Sequence, residues 1–230
     1  MTAYSTNETV LAAHVELAGK QVIDVGAGAG GLVRWLREQG AHPTAVECGE
    51  VMLARARALD PDHADDYIDA VGQDLPMADA SADIVTFVYS LHHIPNDQMR
   101  TALAEAFRVL RPGGTRFVTE PVATGSGHEV DRLIDDETPV RASAQEALRS
   151  AESLGFERLH RGEYTTLSAY VDFDEYESLV VGIDPGRAAA MDLHREEARE
   201  RFETNAHLTP EGAYTFEGPC VFDVFVKPGV

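Results

Sequence analysis

The sequence predicts an α/β protein: a Rossmann-like, mostly parallel seven-stranded sheet with helices on both faces and a helical insertion before the last strand. Three observations carry this expectation. Short apolar runs alternate with stretches of helical period between Val22 and Thr119; a glycine loop, G-A-G-A-G-G from Gly26 to Gly31, directly follows the first run; and a last apolar run, Cys220 to Val226, stands apart from the others behind a long helical stretch. Strands that alternate with helices form a parallel sheet through short right-handed connections, with the ligand at the carboxyl ends of the strands where strand order reverses.

Each element follows from residue spacing. Glu8 to Leu17, with apolar Val10, Leu11, Val15 and Leu17, forms a helix leading to Gly19. Val22-Ile23-Asp24-Val25 is the first strand, and Gly31 to Glu38 is a helix that packs Leu32, Val33, Trp35 and Leu36 inward and stops at Gly40. A second strand, Thr44 to Glu47, precedes a helix from about Glu50 to Ala58. The acidic run Asp60 to Asp66 reads as a solvated connection rather than a metal site. Tyr67 to Val71 and Asp83 to Val88 give the third and fourth strands. Asn96 or Asp97 caps a helix with Met99, Leu103, Phe107 and Leu110 at the helical period, Arg111-Pro112-Gly113-Gly114 ends it, and Thr115 to Thr119 is the fifth strand. Beyond Pro121, Ala142 to Leu154 is helical and stops at Gly155, and Arg158 to Ala169 contains a strand. Asp172 to Val181 and Pro185 to about Asn205 are two more helices, the second opened by Asp184-Pro185. The chain, 1–230, reads as a single domain with a cofactor-binding half at about 20–122 and an insertion at about 172–210 that would lie over the ligand cleft.

Composition narrows the partners. A chain of 230 residues is long enough to bury a sheet beneath helices on both faces. Its net charge of −20 repels a phosphate backbone or an anionic bilayer, which leaves nucleic acid and membrane surfaces as poor partners. No apolar window approaches the roughly 18 residues of a membrane span, and M-T-A-Y-S-T-N-E-T lacks the form of an export signal. Cys48 and Cys220 are the only cysteines, with no zinc-like spacing, so the expectation is a reduced, cytoplasmic protein without a metal, monomeric or homodimeric.

Two kinds of ligand compete for the glycine loop. Gly26-x-Gly28-x-x-Gly31 satisfies the dinucleotide fingerprint, and Glu47 stands at about the 20-residue distance where an acid takes a ribose hydroxyl. Glycine lets backbone approach a ligand and the helix N-terminus offers N–H groups, which suits several adenosine ligands equally. Asp24 separates them. It stands two positions before the first glycine, where dinucleotide binders keep an apolar residue. A carboxylate there orders the loop or meets a positively charged amino group, which S-adenosylmethionine has and nicotinamide cofactors lack. A nicotinamide-dependent oxidoreductase is further disfavoured because Lys20 and Lys227, the only lysines, complete no Tyr-x-x-x-Lys pair. A protein that binds the cofactor without turnover is the reading outside enzymology.

Five segments in order, V-I-D-V-G-A-G-A-G-G-L from Val22, A-V-E-C-G-E-V-M-L-A-R-A from Ala45, G-Q-D-L-P-M-A-D-A-S-A-D-I-V from Gly72, Y-S-L-H-H-I-P from Tyr89 and R-V-L-R-P-G-G-T from Arg108, carry a family resemblance. Over about residues 20 to 122 the chain resembles the class I S-adenosylmethionine-dependent methyltransferases, in particular the small-molecule group called type 11 or 25. The resemblance implies S-adenosylmethionine as cofactor and a small-molecule acceptor. It also implies that Gly26, Ala27, Gly28 and Gly30 approach the methionine and ribose part, with Asp24 as the supporting acid. Glu47 would accept both ribose hydroxyls, and Cys48 and Met52 would border the adenine. Asp74 would take the adenine amino group while Leu75 covers the ring, and Tyr89 and Ser90 would lie near the sulfonium.

Methyl transfer from a sulfonium is an in-line displacement, so the protein's main work is to align the reactants. A hydroxyl acceptor must also lose a proton, and histidine is suited to take it. Sugar O-methyltransferases that share S-L-H-H-x-P use the first histidine and an acid ending the next strand for this step, which corresponds here to His92 and Glu120. The packing alternative has His92 bonding the loop and His93 under the next helix. Residues 123 to 214 carry no motif; Tyr4, Tyr164, Tyr170, Phe173, Tyr176 and Tyr214 could shape an acceptor pocket or simply pack.

Overall fold

Buried β-branched side chains on both faces of Gln21–Val25 (β1) make it a central strand, and the sheet is built around it. The structure is a computed structural model and describes residues 4–229. His42–Glu47 (β2) and Ala82–Val88 (β4) pair with β1 in parallel, Tyr67–Asp69 (β3) pairs with β2, and Leu110–Pro121 (β5) pairs with β4, all in parallel. With Glu157–Tyr170 (β6), His207–Leu208 (β7) and Tyr214–Val226 (β8), the order is β3-β2-β1-β4-β5-β8-β6, and β7 pairs with β8. The chain moves outward from β1 through β2 to β3 and then restarts on the other side with β4. The order therefore reverses between β1 and β4, where an open parallel sheet places its ligand. Seven strands lie on this path, and the two-residue β7 is an addition too short for an alternation pattern to announce.

The helices are Asn7–His14 (α1), Gly31–Glu38 (α2), Glu50–Leu59 (α3), Met99–Val109 (α4), Ser126–Asp131 (α5), Thr138–Arg149 (α6), Phe173–Ile183 (α7) and Ala188–Asn205 (α8). Most agree with the spacing argument, and the differences have local causes. The first helix stops at His14 because Val15 is extended, its N–H closing on Leu11 O. Neither Asn96 nor Asp97 caps α4; its cap position is Gln98, which makes no side-chain cap bond. Burial holds α4 in place instead: Met99, Ala102, Leu103, Ala106 and Val109 form a stripe at the helical period, all within the main core. A fully buried leucine contributes about 1.5–3 kcal/mol. The helix ends at Val109, just before the R-P-G-G segment, which lies in the first part of β5, where Gly113 N–H donates to Lys227 O at 2.7 Å. The helix expected at Ala142 to Leu154 begins earlier and ends as a 3-10 turn, Ala151–Leu154, whose Gly155 cap sits at φ 95.

The chain forms two compact units. The larger comprises 6–120, 143–162 and 221–229, and contains β1 to β5, α1 to α4 and the core of Ile23, Val25, Val85, Phe87, Leu103 and Phe225. The smaller comprises 4–5, 121–142 and 163–220, with its own core of Val130, Phe173, Tyr176, Met191, Phe202 and Phe216. Here α7 and α8 occupy the expected insertion between β6 and β8. Asp172 caps α7 by accepting from Glu175 N–H at 2.9 Å, and Asp184 accepts from Gly186 N–H at 2.8 Å. The aromatic candidates Tyr170, Phe173, Tyr176 and Tyr214 stack around Phe202 and Phe216 in this core. Tyr4 lies at the edge of the smaller unit, its hydroxyl donating to Glu217 Oε1 at 2.5 Å while Ser5 N–H donates to Thr165 O at 3.0 Å. Tyr164 is buried in the same unit.

Candidate active site

All residues singled out from the sequence as cofactor-binding or catalytic fall in the larger unit. They lie at the carboxyl ends of β1, β2, β4 and β5, on α3 and in the loop after β3. The turn from β1 into α2 is shaped by glycines at positive φ. Gly26 has φ 76 and a Cβ there would stand 2.4 Å from Ser90 Cβ; Gly30 has φ 76 and a Cβ would stand 2.6 Å from the Tyr67 ring. Both need the left-handed region and a bare Cα. Gly28, at φ 54, differs, since a Cβ would meet nothing within 4 Å and its backbone borders open space. Glycine at this position gives a ligand access to the main chain. Gly26 and Gly30 instead fit their neighbours Ser90 and Tyr67. Ala27, between Gly26 and Gly28, is half-buried and packs on the Val33, Ala45 and Leu53 cluster.

Glu47 ends β2 and holds this loop. Its Oε2 accepts from Gly28 N–H at 2.8 Å and its Oε1 from Gly49 N–H at 2.7 Å. A carboxylate accepts about four hydrogen bonds, so each oxygen keeps acceptor capacity beyond these two bonds. Cys48 is exposed beside it, and partial desolvation of its thiol, then the Glu47 charge, pushes its pKa up. Met52 is half-buried on α3.

Asp24 is buried and lies opposite Thr86 in the β1–β4 register. Thr86 Oγ1 donates to Asp24 Oδ1 at 2.7 Å. Burial raises the carboxyl to about 6, the Thr86 bond opposes that rise, and Glu47 adds to it. Asp24 is thus ionised near neutral pH only at a cost in burial. Thr86 is a partner of Asp24 that the sequence did not point to; the contact depends on strand register, which one chain does not reveal.

The loop after β3 carries Asp74, exposed, with its N–H on Val71 O at 3.1 Å. Leu75 is buried in the main core. Two residues of α4 fix this loop: Glu105 Oε2 accepts from Leu75 N–H at 3.0 Å, and Arg108 donates to Leu75 O at 2.8 Å and Met77 O at 2.7 Å. The acidic run is likewise more structured than its composition implied. It forms a 3-10 turn, Pro61–Asp66, and Asp60 accepts from Arg37, at 2.6 Å, and from the Tyr67 hydroxyl, at 2.9 Å. Those bonds seat the Tyr67 ring against Gly30.

At the ends of β4 and β5, Tyr89 is held at φ 55 with its N–H on Thr119 O at 2.9 Å. A non-glycine residue there signals a constrained backbone. Ser90 Oγ donates to Val25 O at 2.5 Å and ties this turn to the glycine loop. Leu91–His93 is a single 3-10 turn. Glu120, fully buried, accepts from Leu91 N–H at 2.9 Å through one oxygen and meets His92 Nδ1 through the other. His92 is itself buried, and the His93 ring lies 4.1 Å from it, centroid to centroid. The structure joins His92 to Glu120 as the motif implied.

A sheet with this order, a glycine turn at its switch point and an acid ending β2 define a Rossmann-like protein built to hold an adenosine ligand. Residues 23–118 match the family described as a methyltransferase domain, and this segment belongs to the class I S-adenosylmethionine-dependent methyltransferases. A malonyl-[acyl-carrier protein] O-methyltransferase from Enterobacter lignolyticus is 33% identical over 156 residues, 66% of this chain and 59% of that protein. A ubiquinone biosynthesis O-methyltransferase from Azotobacter vinelandii is 33% identical over 45% of each chain. The chain therefore spans about half the length of these curated relatives. Among solved structures, a SAM-dependent methyltransferase from Methanosarcina mazei aligns with a TM-score of 0.60 at 11% identity, covering 99% of this chain and 100% of that one. A [4+2]-cyclase aligns at 0.62 with 20% identity, covering 97% of this chain and 80% of that one. At such identities the likeness concerns the fold, and the cyclase illustrates that the fold alone does not dictate the reaction. Among the described residues no helix is long and apolar enough to cross a membrane.

Proposed function

We propose that this protein transfers a methyl group from S-adenosylmethionine to an oxygen or nitrogen of a small-molecule acceptor, with His92 and Glu120 handling the proton. When bound, the cofactor supplies an electrophilic methyl carbon on a sulfonium whose departure leaves a neutral thioether. Gly28 and the backbone around it would receive the methionine and ribose part, Glu47 the ribose hydroxyls, and Asp24 the amino group. Cys48, Met52 and Asp74 would border the adenine. Leu75 supports that wall from the core rather than from its surface.

The observation that carries the catalytic reading is the buried His92–Glu120 pair, beside a turn bonded to the glycine loop. With Nδ1–H donating to Glu120, the basic nitrogen of His92 is Nε2. It would take the acceptor's hydroxyl proton as the oxygen attacks, and the Glu120 carboxylate would stabilise the resulting imidazolium. Glu120 is also fixed by Leu91 N–H, so the imidazole is oriented before the acceptor arrives. An oxygen acceptor is favoured by relatives named as O-methyltransferases. Acceptor identity would rest with residues outside the matched segment 23–118.

Thermal unfolding with S-adenosylmethionine, S-adenosylhomocysteine, NAD and NADP in turn tests cofactor choice. A ligand at about 100 times its dissociation constant adds about 2.7 kcal/mol, a shift of several degrees. Stabilisation by the two sulfur compounds alone is expected; a shift with NAD or NADP overturns the assignment of Asp24. Methyl-transfer assays across hydroxyl and amine acceptors then compare the wild type with His92→Ala, and undiminished turnover in the variant removes the base.

A further inference from the structure

Away from the cofactor site, one cluster in the larger unit has no role in the proposed reaction. Among the described residues, the buried side-chain N and O atoms without a hydrogen-bond partner are Arg116 Nε, Nη1 and Nη2, Gln145 Nε2, Arg158 Nε and Asp223 Oδ1. They come from β5, α6, β6 and β8 and form one connected group. Arg161 Nη1 donates to Asp223 Oδ2 at 2.5 Å, Arg161 Nη2 donates to Gln145 Oε1 at 3.1 Å, and Arg158 Nε lies 2.9 Å from Asp223 Oδ1 without directing its N–H at it. Arg116 and Asp223 are fully buried.

The imbalance has a sign. Five of the six atoms are donors, and three guanidinium groups face a single carboxylate. The Arg116 Cζ lies 3.8 Å from the Phe156 ring centroid and 4.3 Å from that of Phe225. Aromatic rings attract the cation but offer no lone pair to its in-plane N–H groups. A buried guanidinium left in that condition is costly, and native interiors satisfy such donors. Burial lowers the Arg116 pKa to about 9, against the pull of Asp223, so it remains charged near neutral pH. What the cluster lacks is a compact acceptor carrying negative charge.

We propose that the cluster of Arg116, Gln145, Arg158 and Asp223 binds a small monovalent anion of halide size, held by the in-plane N–H groups of Arg116 with Gln145 Nε2 and Arg158 Nε. Complete burial of Arg116 and Asp223 excludes phosphate esters and organic acids. Arg158 and Arg161, with side chains 24% and 36% exposed, provide the route from solvent. The site is independent of the methyltransferase reading, so the failure of either leaves the other standing.

The test uses the full chain and chloride or bromide as the probe. Thermal unfolding is followed while sodium chloride replaces sodium gluconate at constant ionic strength, which isolates the anion from screening. A rise of at least about 2 °C with chloride and with bromide is expected, reduced in Gln145→Leu and absent in Arg116→Met. Equal midpoints in the two salts, or an undiminished rise in Gln145→Leu, overturn the proposal. Should Arg116→Met fail to fold, crystals of the wild type soaked in bromide decide: an anomalous peak at the Arg116 guanidinium edge supports the site. Ordered water there with no anomalous signal overturns it.

Discussion

Replacing Asp24 with Asn should change how stability depends on pH, and the size of the change follows from its burial. The carboxyl has a pKa of 3.8 in a solvated reference and about 6 in the folded protein, chiefly because it is buried. Between those values the folded chain binds a proton that the unfolded chain does not. Stability from this group is therefore present at low pH and declines as pH rises through the folded pKa. At about 1.4 kcal/mol per pH unit, ionising Asp24 costs about 3 kcal/mol by neutral pH. Asn keeps the bond from Thr86 and cannot ionise. The stability of Asp24→Asn relative to wild type should thus increase by about 2–3 kcal/mol between about pH 4 and pH 7, whatever constant offset the amide introduces. Urea unfolding at a series of pH values, with fitted slopes checked for constancy, measures it. A difference constant to within about 0.5 kcal/mol across that range would refute the reasoning and imply that water reaches Asp24. The same variant should lose about 10–100-fold in affinity for S-adenosylhomocysteine, the usual value of a hydrogen bond to a charged group.

Gly26→Ala and Gly28→Ala separate fit from ligand approach. The first meets Ser90 at 2.4 Å and should cost about 2–4 kcal/mol in urea unfolding. The second meets nothing within 4 Å and should cost only about 1–2 kcal/mol of backbone strain, while calorimetry shows weakened cofactor binding. Thr86→Val removes the bond that restrains the Asp24 carboxyl, so the pH window of stability loss should extend upward past about 6, with Thr86→Ser restoring it. Glu120→Gln should lower turnover about 10–100-fold and flatten the pH–rate profile without changing cofactor affinity, since general-base assistance is typically worth 10²–10⁴-fold. Tyr67→Phe removes the hydroxyl bond to Asp60 and should cost about 1 kcal/mol in the same unfolding assay.

Much of this molecule is a consequence of local pattern. Val22 to Glu38 specifies strand, glycine turn and helix in 17 consecutive residues, and β1 and α2 occupy the expected places. Period, turn residues and a motif with its own mechanism are properties of neighbouring residues, so one chain suffices to read them. The pairing of His92 with Glu120 could also be inferred, because both sit at strand ends that a parallel sheet brings together. Other features depended on elements distant in sequence. Thr86 meets Asp24 only through strand register, Asp60 is drawn from solvent by Arg37 and Tyr67, and Glu105 with Arg108 reaches back some 30 residues to the Asp74 loop. The cap of α4 falls at Gln98 rather than at Asn96 or Asp97 because burial of one face outweighs a missing side-chain bond. Most hidden was the Arg116 cluster, where three strands and a helix converge on donors that look in the sequence like ordinary surface charge. Spacing fixed which residues could form elements and which chemistry the glycine turn admits; the tertiary structure decided which charges are buried, since burial depends on neighbours that the chain supplies from far away.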